Sequence, residues 1–454
     1  MTESATPPPG PRVSLRRRDA VAIIVGIVVG AGIFRAPSLV ADIARDPGWA
    51  LALWIAGGAI SLVGALCYAE LASAHPHAGG DYHFLTRAFG RDVSFLYGWA
   101  RATVINTGSI ALLAFVFGDY ASRIVDAGPH SSAIWAAALV VALTVVNVAS
   151  LAASARTQNW LTVVEVAGLL FVIAAGVAAT PEAASGAAWF ATSPPAGAIG
   201  LALVFVLLTY GGWNEAAYLS AELPGGARTI LWTLVASVLI IMALYVATNA
   251  ALLGALGVAG LSASKAAAAD VVTRAFGRAA GDLLSAFVAV ATLTSINATM
   301  LTGARTNYAL ANDWAPLRHF AGWNVRRGVP TRGFLLQSSI ALALIAFGAT
   351  QKDGFEAMVE FTAPVFWGFL ALVGVALVLL RQRFPEAPRP FRVPLYPLTP
   401  LAFIATCAFL FHSSITYAAS RGAIHVSLYV MAVGAAAWAL TRLRSATTSS
   451  ARGR

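Results

Sequence analysis

The sequence is short of charged residues, and this shortage excludes a soluble globular protein. Asp, Glu, Lys and Arg make up 11% of the 454 residues, whereas hydrophobic residues make up 58% and the mean hydropathy is +0.74. Apolar runs of about 20 residues recur along the chain, each long enough to cross the hydrocarbon core of a bilayer. The segments between them are short. The composition therefore predicts one polytopic membrane domain without a separate extramembrane catalytic domain.

Cysteine and several familiar motifs are also missing. Cys67 and Cys407 are the only two cysteines, and both lie in apolar runs, so no disulfide framework is predicted. No P-loop is present, which disfavours ATP-driven transport. Ser, His and Asp do not cluster within any apolar run, which disfavours a membrane-embedded enzyme. No cofactor and no metal site are predicted.

The net charge of +10 does not indicate a nucleic-acid partner, because the arginines lie in short loops between apolar runs. With a cytoplasmic N-terminus, the inside segments hold 21 Arg residues and the outside segments hold seven Lys and Arg residues. Such a bias is the positive-inside signal of a membrane protein. We predict a multi-pass protein of the cell (inner) membrane with both termini cytoplasmic.

Twelve apolar segments fit the hydropathy, so we predict an all-α integral membrane protein with 12 transmembrane helices. Residues 1–17 are expected to form a disordered cytoplasmic tail, and residues 443–454 another. The expected spans are 19–44, 48–74, 93–120, 132–152, 158–180, 197–220, 229–256, 281–310, 333–350, 356–381, 397–419 and 424–442.

The first span contains an unusual stretch from Val25 to Pro37. Three glycines fall within seven residues and are followed by Arg35 and a proline. Glycine and proline both disfavour a helix interior, so the stretch predicts a helix that stops and restarts within the membrane. A transporter uses such a break to bind a polar substrate with backbone groups. A kinked helix that packs closely against a neighbour is the alternative.

The sixth span carries a second interruption at Tyr210-Gly211-Gly212-Trp213-Asn214. Broken helices at corresponding positions in two sets of five spans are typical of a transporter built as an inverted repeat, with its site at the repeat interface. The pair of interruptions favours a transporter over a packing kink.

Five motifs in chain order resemble the amino acid–polyamine–organocation superfamily, and within it the bacterial permeases close to the L-type amino acid transporters. They are Gly30-Ala31-Gly32-Ile33-Phe34, Tyr68-Ala69-Glu70-Leu71 with Pro76 and Gly79-Gly80, Tyr210-Gly211-Gly212-Trp213-Asn214, Leu301-Thr302-Gly303-Ala304-Arg305, and Arg389-Pro390-Phe391-Arg392-Val393-Pro394.

The resemblance implies a 5+5 inverted repeat (LeuT-like) plus two C-terminal helices, working by alternating access. The transporter domain would span 18–442, with repeats at about 19–180 and 197–381 and the extra helices at about 397–442. A substrate α-carboxylate would bind the backbone N–H groups of Gly30, Ala31 and Gly32. The α-amino group would bind carbonyls near Val28, Leu208 and Gly211. Helix termini offer such groups to a zwitterion without any charged side chain.

Three positions depart from the family pattern. Ala31 stands where many relatives have Ser, and Leu208 stands where relatives often have an aromatic gate. Glu165 aligns with a position that is Lys in many members, where the ammonium resembles a substitute for a sodium ion. An ionisable residue within a membrane span indicates a functional site. Glu165 is therefore predicted to take part in coupling or gating, with a structural, hydrogen-bonded carboxyl as the alternative.

Four further residues are candidates near the two breaks. Tyr210 is expected to face the cavity, and Asn214 is expected to contact the substrate. Arg35 is predicted to take part in gating, either by pairing with Glu215 or by guiding anionic groups; snorkelling to the outer surface is the alternative. Glu215 is predicted to select a cationic side chain or to pair with a nearby Arg.

These observations favour a secondary amino acid transporter with a preference for neutral substrates, driven by proton symport or by exchange. The predicted partners are a small-molecule amino acid, a coupling proton or sodium ion, and the lipid bilayer. A cationic amino acid or polyamine exchanger is one alternative. A non-transporting membrane sensor with the same fold is another.

Overall fold

The computed structural model describes residues 21, 24–26, 28–77, 79–149, 155–179, 189–195, 197–215, 226–320, 322, 330–420 and 424–452. The predicted N-terminal tail, 1–17, lies outside the described residues. Every regular element in the described part of the chain is helical, which agrees with the predicted all-α class. The segments are apolar and long enough to lie in lipid, where no water is present to pair with backbone N–H and C=O groups. A segment satisfies these groups within itself by forming an α-helix.

The α-helices are numbered here in chain order. They are α1 (Ala36–Ala44), α2 (Pro47–Ala74), α3 (Gly80–Phe89), α4 (Arg91–Ala100), α5 (Asn106–Ile124), α6 (Ser131–Ala149), α7 (Ala155–Ala178), α8 (Ala198–Thr209), α9 (Gly226–Ala263), α10 (Ala267–Phe276), α11 (Arg278–Asp313), α12 (Thr331–Ala349), α13 (Gly354–Arg383), α14 (Leu398–Ser420) and α15 (Ile424–Arg452).

Eight helical segments of the described chain are long and apolar enough to cross a membrane. Shorter apolar helices cover Val163–Ala178, Ala198–Thr209 and His425–Ala439. The longest of the eight segments pass well beyond 20 residues, so they tilt or extend past the bilayer. The eight segments are Pro47–Ala74, Arg91–Ile124, Ser131–Val148, Arg228–Ala263, Arg278–Asp313, Thr331–Ala349, Gly354–Arg383 and Leu398–Ser420.

The first predicted span is interrupted, as its glycines and proline indicated. The backbone is helical at Val28, leaves the helix at residues 29–30, and forms a 3-10 turn over Ala31–Phe34 before α1 begins. Gly30 is extended, with φ −96° and ψ −174°. Pro37 lies in the first turn of α1, where its missing N–H costs no hydrogen bond. Residues 29–30 are called the first break below.

The sixth predicted span is interrupted as well. Helix α8 ends at Thr209, residues 210–212 are not helical, and a 3-10 turn follows over Trp213–Glu215. Gly212 has a φ of 110°, a conformation that favours glycine because it has no Cβ. Residues 210–212 are called the second break below.

The third predicted span contains a feature that the sequence did not indicate. Between α4 and α5, Arg101–Ile105 form a π-helical turn, and the N–H of Asn106 donates to the carbonyl of Arg101. A π-turn widens the helix by one residue and reorients the side chains around it, and such turns are frequent at functional sites.

The ends of the helices define two faces of the molecule. Following the predicted orientation, we call the outer face the one with α10, the end of α5 and the starts of α2 and α13. We call the inner face the one with α3, the end of α2 and the end of α13. Glu70 near the end of α2 is buried and pairs with Arg381 on α13, with 3.0 Å between Oε1 and Nε. It also accepts a 2.7 Å hydrogen bond from the N–H of Val393.

The C-terminal segment differs from its prediction. Helix α15 continues to Arg452, so most of 443–454 is helical rather than a disordered tail. The sequence contains no Gly or Pro between Gly434 and Gly453, and it therefore provides no residue that would end the helix earlier.

Candidate functional site

A cavity of about 320 Å³ lies between the helices and is bordered by both breaks. Its volume is at the lower end of the range for small-molecule sites, roughly 300 to 1,000 Å³. Helices α5, α11 and α13 supply most of the remaining wall. The cavity extends toward the inner face, because Asp81 on α3 also lines it. The two breaks therefore border one cavity.

Six of the eight predicted substrate-binding residues line this cavity, which brings the two distant segments together. Backbone and side chains of the first and second breaks face each other across the space, because α1 packs against α8. A Cβ on Gly32 would lie 3.5 Å from Thr209, so glycine leaves the backbone uncovered there. The six residues are Val28, Gly30, Gly32, Leu208, Gly211 and Asn214.

Ala31 lies outside the cavity wall, and its side chain is buried in the core. It begins the 3-10 turn that follows the first break. The first N–H groups of a helical turn have no partner within that turn. The backbone of Ala31 therefore retains the donor that its predicted role requires, although its methyl group does not contact the cavity.

Tyr210 is placed differently from its prediction, because its ring is buried behind the second break rather than facing the cavity. Its exposed fraction is 1%, and its hydroxyl donates to the carbonyl of Trp54 at 3.0 Å. The ring packs at 5.0 Å from the ring of Tyr245 and at 6.0 Å from that of Trp54. Gly57 on α2 permits this packing, since a Cβ there would approach the ring of Tyr210 to 3.3 Å.

Tyr245 on α9 connects the two breaks. Its hydroxyl lies 2.7 Å from the carbonyl oxygen of Val28 and 3.2 Å from that of Thr209. A hydroxyl has one proton to donate, and the carbonyl of Val28 is the nearer acceptor. The N–H of Gly30 also donates to this carbonyl, at 2.6 Å. The carbonyl expected to receive a substrate ammonium is thus already hydrogen-bonded twice.

Arg35 joins three helices at the outer face instead of reaching toward the surface. Its side chain is 4% exposed and forms ion pairs with Asp353 and with Asp119, whose Oδ2 lies 3.5 Å from Nε. The guanidinium also lies 6.0 Å from the ring of Phe355. Burial on its own raises the pKa of Asp353, but Arg35 and the N–H of Glu356 hold that pKa below its usual value of 3.8.

The partners of Arg35 correct one expectation. Burial of the side chain excludes snorkelling to the surface, and its described partners are Asp119 near the end of α5 and Asp353 just before α13. The two carboxylates neutralise a buried charge that would otherwise be costly. The side chain of Glu215 lies outside the described residues, so its predicted role stays a prediction.

Glu165 is buried on α7, away from the cavity wall. Its exposed fraction is 4%, and Oε2 has no hydrogen-bond partner among the described atoms. Helix α7 packs against α9, the helix that carries Tyr245. Glu165 therefore lies outside the described cavity wall, on a helix that neighbours α9.

Sequence reasoning missed a group of polar residues at the inner end of the cavity. The hydroxyl of Tyr97 donates to Asp81 at 3.2 Å, and Arg101 donates to the hydroxyl of Tyr97 at 3.1 Å. Asn106, after the π-turn, also lines the cavity. Arg101 offered a signal, since an ionisable residue within a span indicates a functional site. Asn106 offered little, because only the π-turn determines its direction.

The histidines near α3 pack against each other. The rings of His77 and His83 stack at 4.1 Å, and the Nδ1 of His77 accepts the N–H of Gly79. Burial first, and then the neighbouring His77 and Arg87, lower the pKa of His83 to about 4. The ring of His83 is therefore neutral at physiological pH, and the stacking is part of the packing of this loop.

Comparison with known proteins gives one family match over nearly the whole chain. The profile of the family described as amino acid permease matches residues 15–438. Similar curated proteins include the mouse b(0,+)-type amino acid transporter 1, which is 27% identical over 404 residues, covering 86% of this chain and 80% of the relative. The rat large neutral amino acids transporter small subunit 2 is 28% identical over 405 residues, or 86% and 74% of the two chains. The human cystine/glutamate transporter is 27% identical over 420 residues, or 89% and 81%.

Proposed function

We propose a mechanism from one premise: this chain belongs to the amino acid permease family and is a membrane protein of amino acid transport. On this basis it is a secondary transporter that carries amino acids by alternating access. The fold is a 12-helix arrangement with a 5+5 inverted repeat and two C-terminal helices. Both termini are cytoplasmic, and the protein resides in the cell (inner) membrane.

The observation that carries this proposal is the shared cavity. Two helices that are interrupted within the membrane border the same space, and they lie almost 180 residues apart in the sequence. Non-helical backbone at membrane depth is tolerated where it lines such a cavity. A protein that used these helices only for packing would gain nothing from exposing their backbone groups to a cavity of about 320 Å³.

The substrate is bound by the termini of the broken helices. Its α-carboxylate accepts hydrogen bonds from the N–H groups of Gly30, Ala31 and Gly32, where the turn Ala31–Phe34 begins. The N–H of Gly30, which donates to the carbonyl of Val28 at 2.6 Å, leaves that acceptor when the carboxylate binds. The α-ammonium donates to the carbonyls of Val28 and Leu208, near the ends of the preceding helices, and to that of Gly211 in the second break. Because the carbonyl of Val28 already accepts from Tyr245, the ammonium displaces that hydroxyl when it binds.

The structure fits an inward-facing state of this cycle. The cavity extends toward the inner face as far as the buried Asp81, whereas Arg35, Asp119 and Asp353 connect the helices at the outer face. With the positive-inside orientation, the inner face is cytoplasmic. Separation of the Arg35 ion pairs is the step that opens the outer face.

The side chains of the cavity favour neutral amino acids over cationic ones. Among the described lining residues, Asp81 and Arg101 carry charge, and Tyr97 links them by hydrogen bonds. A cationic amino acid or polyamine would require a carboxylate that is not already opposed by a guanidinium. A coupling proton is the proposed driving ion for symport, with Glu165 as its carrier; obligatory exchange and sodium coupling are the alternatives.

Flux measurements on purified protein in liposomes test the proposal. A panel of radiolabelled amino acids, with pH and sodium varied on each side, is expected to show saturable uptake of neutral amino acids. Gly32→Leu covers the backbone that faces the cavity, so uptake should fall at least about tenfold, which corresponds to about 1.4 kcal/mol.

Gly254→Leu is the matched control, because a side chain there meets no atom within 4 Å and faces outward from α9. Its uptake should equal that of the unaltered protein. Binding of an amino acid without any flux would support a membrane sensor instead and would contradict the proposed transport cycle.

A further inference from the structure

Asn106 holds an unused hydrogen-bond donor inside the cavity. The side chain is 7% exposed, it lines the cavity, and its Nδ2 has no hydrogen-bond partner among the described atoms. An amide N–H that is removed from water without a hydrogen-bond partner destabilises the folded protein. A buried donor without a partner in a native protein calls for an explanation, and a bound substrate that accepts its hydrogen bond is one.

The π-turn Arg101–Ile105 sets the position of this amide. Asn106 is the first residue after the turn, and its N–H donates to the carbonyl five residues earlier. Ser109 follows on the same helix and also lines the cavity. Gly303 of α11 is buried beside the cavity and makes room for two amide side chains, since a Cβ there would lie 2.5 Å from Oε1 of Gln337 and 3.1 Å from Nδ2 of Asn106.

Two hydroxyl groups that line the same cavity as Asn106 have the complementary chemistry. Thr299 and Thr302 of α11 both line the cavity. Thr299 donates to the carbonyl of Ser295 at 2.9 Å, and Thr302 donates to carbonyls of its own helix at 3.1 Å. Because each hydroxyl has only one proton, both threonines retain acceptor capacity but have no proton to offer. Asn106 supplies the donor that they lack.

We propose that Asn106, Thr299 and Thr302 form a side-chain subsite that selects neutral amino acids whose side chain carries both a hydrogen-bond donor and an acceptor, namely a hydroxyl or a carboxamide. The inference rests on the proposed transport function and names its substrate class. A hydroxyl or carboxamide accepts from Nδ2 of Asn106 and donates to a threonine oxygen. An aliphatic side chain of the same size leaves these groups unpaired, and a site built for hydrogen bonding discriminates against such an analogue.

The test compares substrates of equal size in proteoliposomes. Threonine against valine, and asparagine against leucine, are measured as Vmax/KM for the unaltered protein and for Asn106→Leu. The unaltered protein should favour the polar member of each pair by about tenfold, the effect of one well-placed hydrogen bond. In Asn106→Leu the preference should disappear, mainly because uptake of the polar substrate falls.

The ratio of two substrates is independent of how much protein folds, so a merely structural role for Asn106 would leave it unchanged. Asn106→Ala is the second variant, since it introduces no larger group, and it should lose the same preference. Thr103→Val is the matched control: Thr103 lies in the π-turn, donates to the carbonyl of Trp99 at 2.8 Å and is not part of the described cavity wall. Its ratio should stay unaltered.

Two results would overturn the inference in distinguishable ways. Uptake of amino acids with an equal ratio in the unaltered protein, Asn106→Leu and Asn106→Ala would reject the subsite and leave the transport function standing. A complete lack of uptake by the unaltered protein, for every amino acid in the panel, would reject the transport function and the subsite with it.

Discussion

Glu165 is a carboxylic acid buried in a helix that crosses an apolar region, and one of its oxygens lacks a hydrogen-bond partner among the described atoms. A carboxyl group removed from water prefers its neutral, protonated form. Its helix, α7, packs against α9, which carries Tyr245, and the hydroxyl of Tyr245 donates to the carbonyl of Val28. A change of protonation at Glu165 therefore has a short route to the backbone of the first break.

The Glu165→Gln variant tests this role. Glutamine has nearly the same shape but cannot exchange a proton, so we expect uptake at neutral pH to persist while its pH dependence is lost. The measurement is the initial rate of uptake into proteoliposomes over a range of external pH. Glu386→Gln changes an exposed carboxyl at the end of α13 and should keep the original profile. An unaltered profile in Glu165→Gln would exclude the proton-carrier role.

At the scale of an element, the carboxylate of Asp46 joins the start of α2 by hydrogen bonds to residues 190–192, which are distant in the sequence. Asp46 accepts hydrogen bonds from the N–H groups of Gly48 and Trp49, at 2.8 and 3.0 Å, and from those of residues 190–192, at 2.9 to 3.4 Å. It thus caps the helix and orients the segment that leads to α8. Burial on its own raises the pKa of Asp46, but the surrounding N–H groups hold that pKa below its usual value of 3.8.

Asp46→Ala removes both carboxylate oxygens that accept these hydrogen bonds. We expect the free energy of unfolding to fall by about 1 to 2 kcal/mol, which is the effect of losing one helix cap. The pKa of Asp46 is lower in the folded state than its usual value of 3.8. Its contribution to the free energy of unfolding is therefore complete at a pH well above 3.8 and is lost as the pH falls through the folded-state pKa. The difference in thermal unfolding between the unaltered protein and the variant should therefore be full at neutral pH and shrink in strong acid. Asp126→Ala is the control. The hydrogen bond described for Asp126 comes from the N–H of Gly128, two residues later in the same exposed turn. Equal unfolding temperatures of Asp46→Ala and the unaltered protein at neutral pH would contradict this.

At the scale of the whole molecule, ion pairs hold the outer face together around Arg35. The residues involved lie on α5, on α13 and just before α1, so any movement of these helices apart must separate charges that are buried. Removing one partner of a buried ion pair leaves the other charge uncompensated, which costs several kcal/mol. The equilibrium between the proposed inward-facing and outward-open states should therefore respond strongly to substitution of Arg35.

The Arg35→Gln variant is expected to shift the protein toward an outward-open state. A cysteine placed at Val359, which lines the cavity and is 2% exposed, reports the change through its rate of labelling by a membrane-impermeant reagent added outside. We expect labelling at least about tenfold faster with Arg35→Gln, a shift of about 1.4 kcal/mol. Arg278→Gln is the control, because Arg278 is 88% exposed and pairs only weakly with Asp282 at 3.7 Å. Equal labelling rates in the two backgrounds would show that Arg35 does not close this face.

The helices and both breaks were predictable because they depend on local chemistry. Apolar length defines the spans, and the glycines of the two interruptions act on their own backbone. The contacts of the site were less predictable, because they join residues distant in the chain: Arg35 and Asp353 are 318 positions apart. The orientation of Tyr210 depends on Trp54 and Gly57 of another helix. Asn106 turns toward the cavity only because a π-turn precedes it, and no residue type marks such a turn.

In the proposed cycle, the hydroxyl of Tyr245 competes with the substrate for the carbonyl of Val28. The hydroxyl donates a hydrogen bond to the carbonyl of Val28, as the substrate ammonium is proposed to do. Substrate binding therefore replaces one hydrogen bond at this carbonyl with another instead of adding a new one. The net gain is the difference between two similar interactions, which limits affinity but leaves the backbone ordered after the substrate departs. Release then returns the site to a defined arrangement, ready for the next cycle. A transporter must release its substrate as readily as it binds it. A protein hydroxyl that binds the carbonyl again when the substrate leaves favours this release.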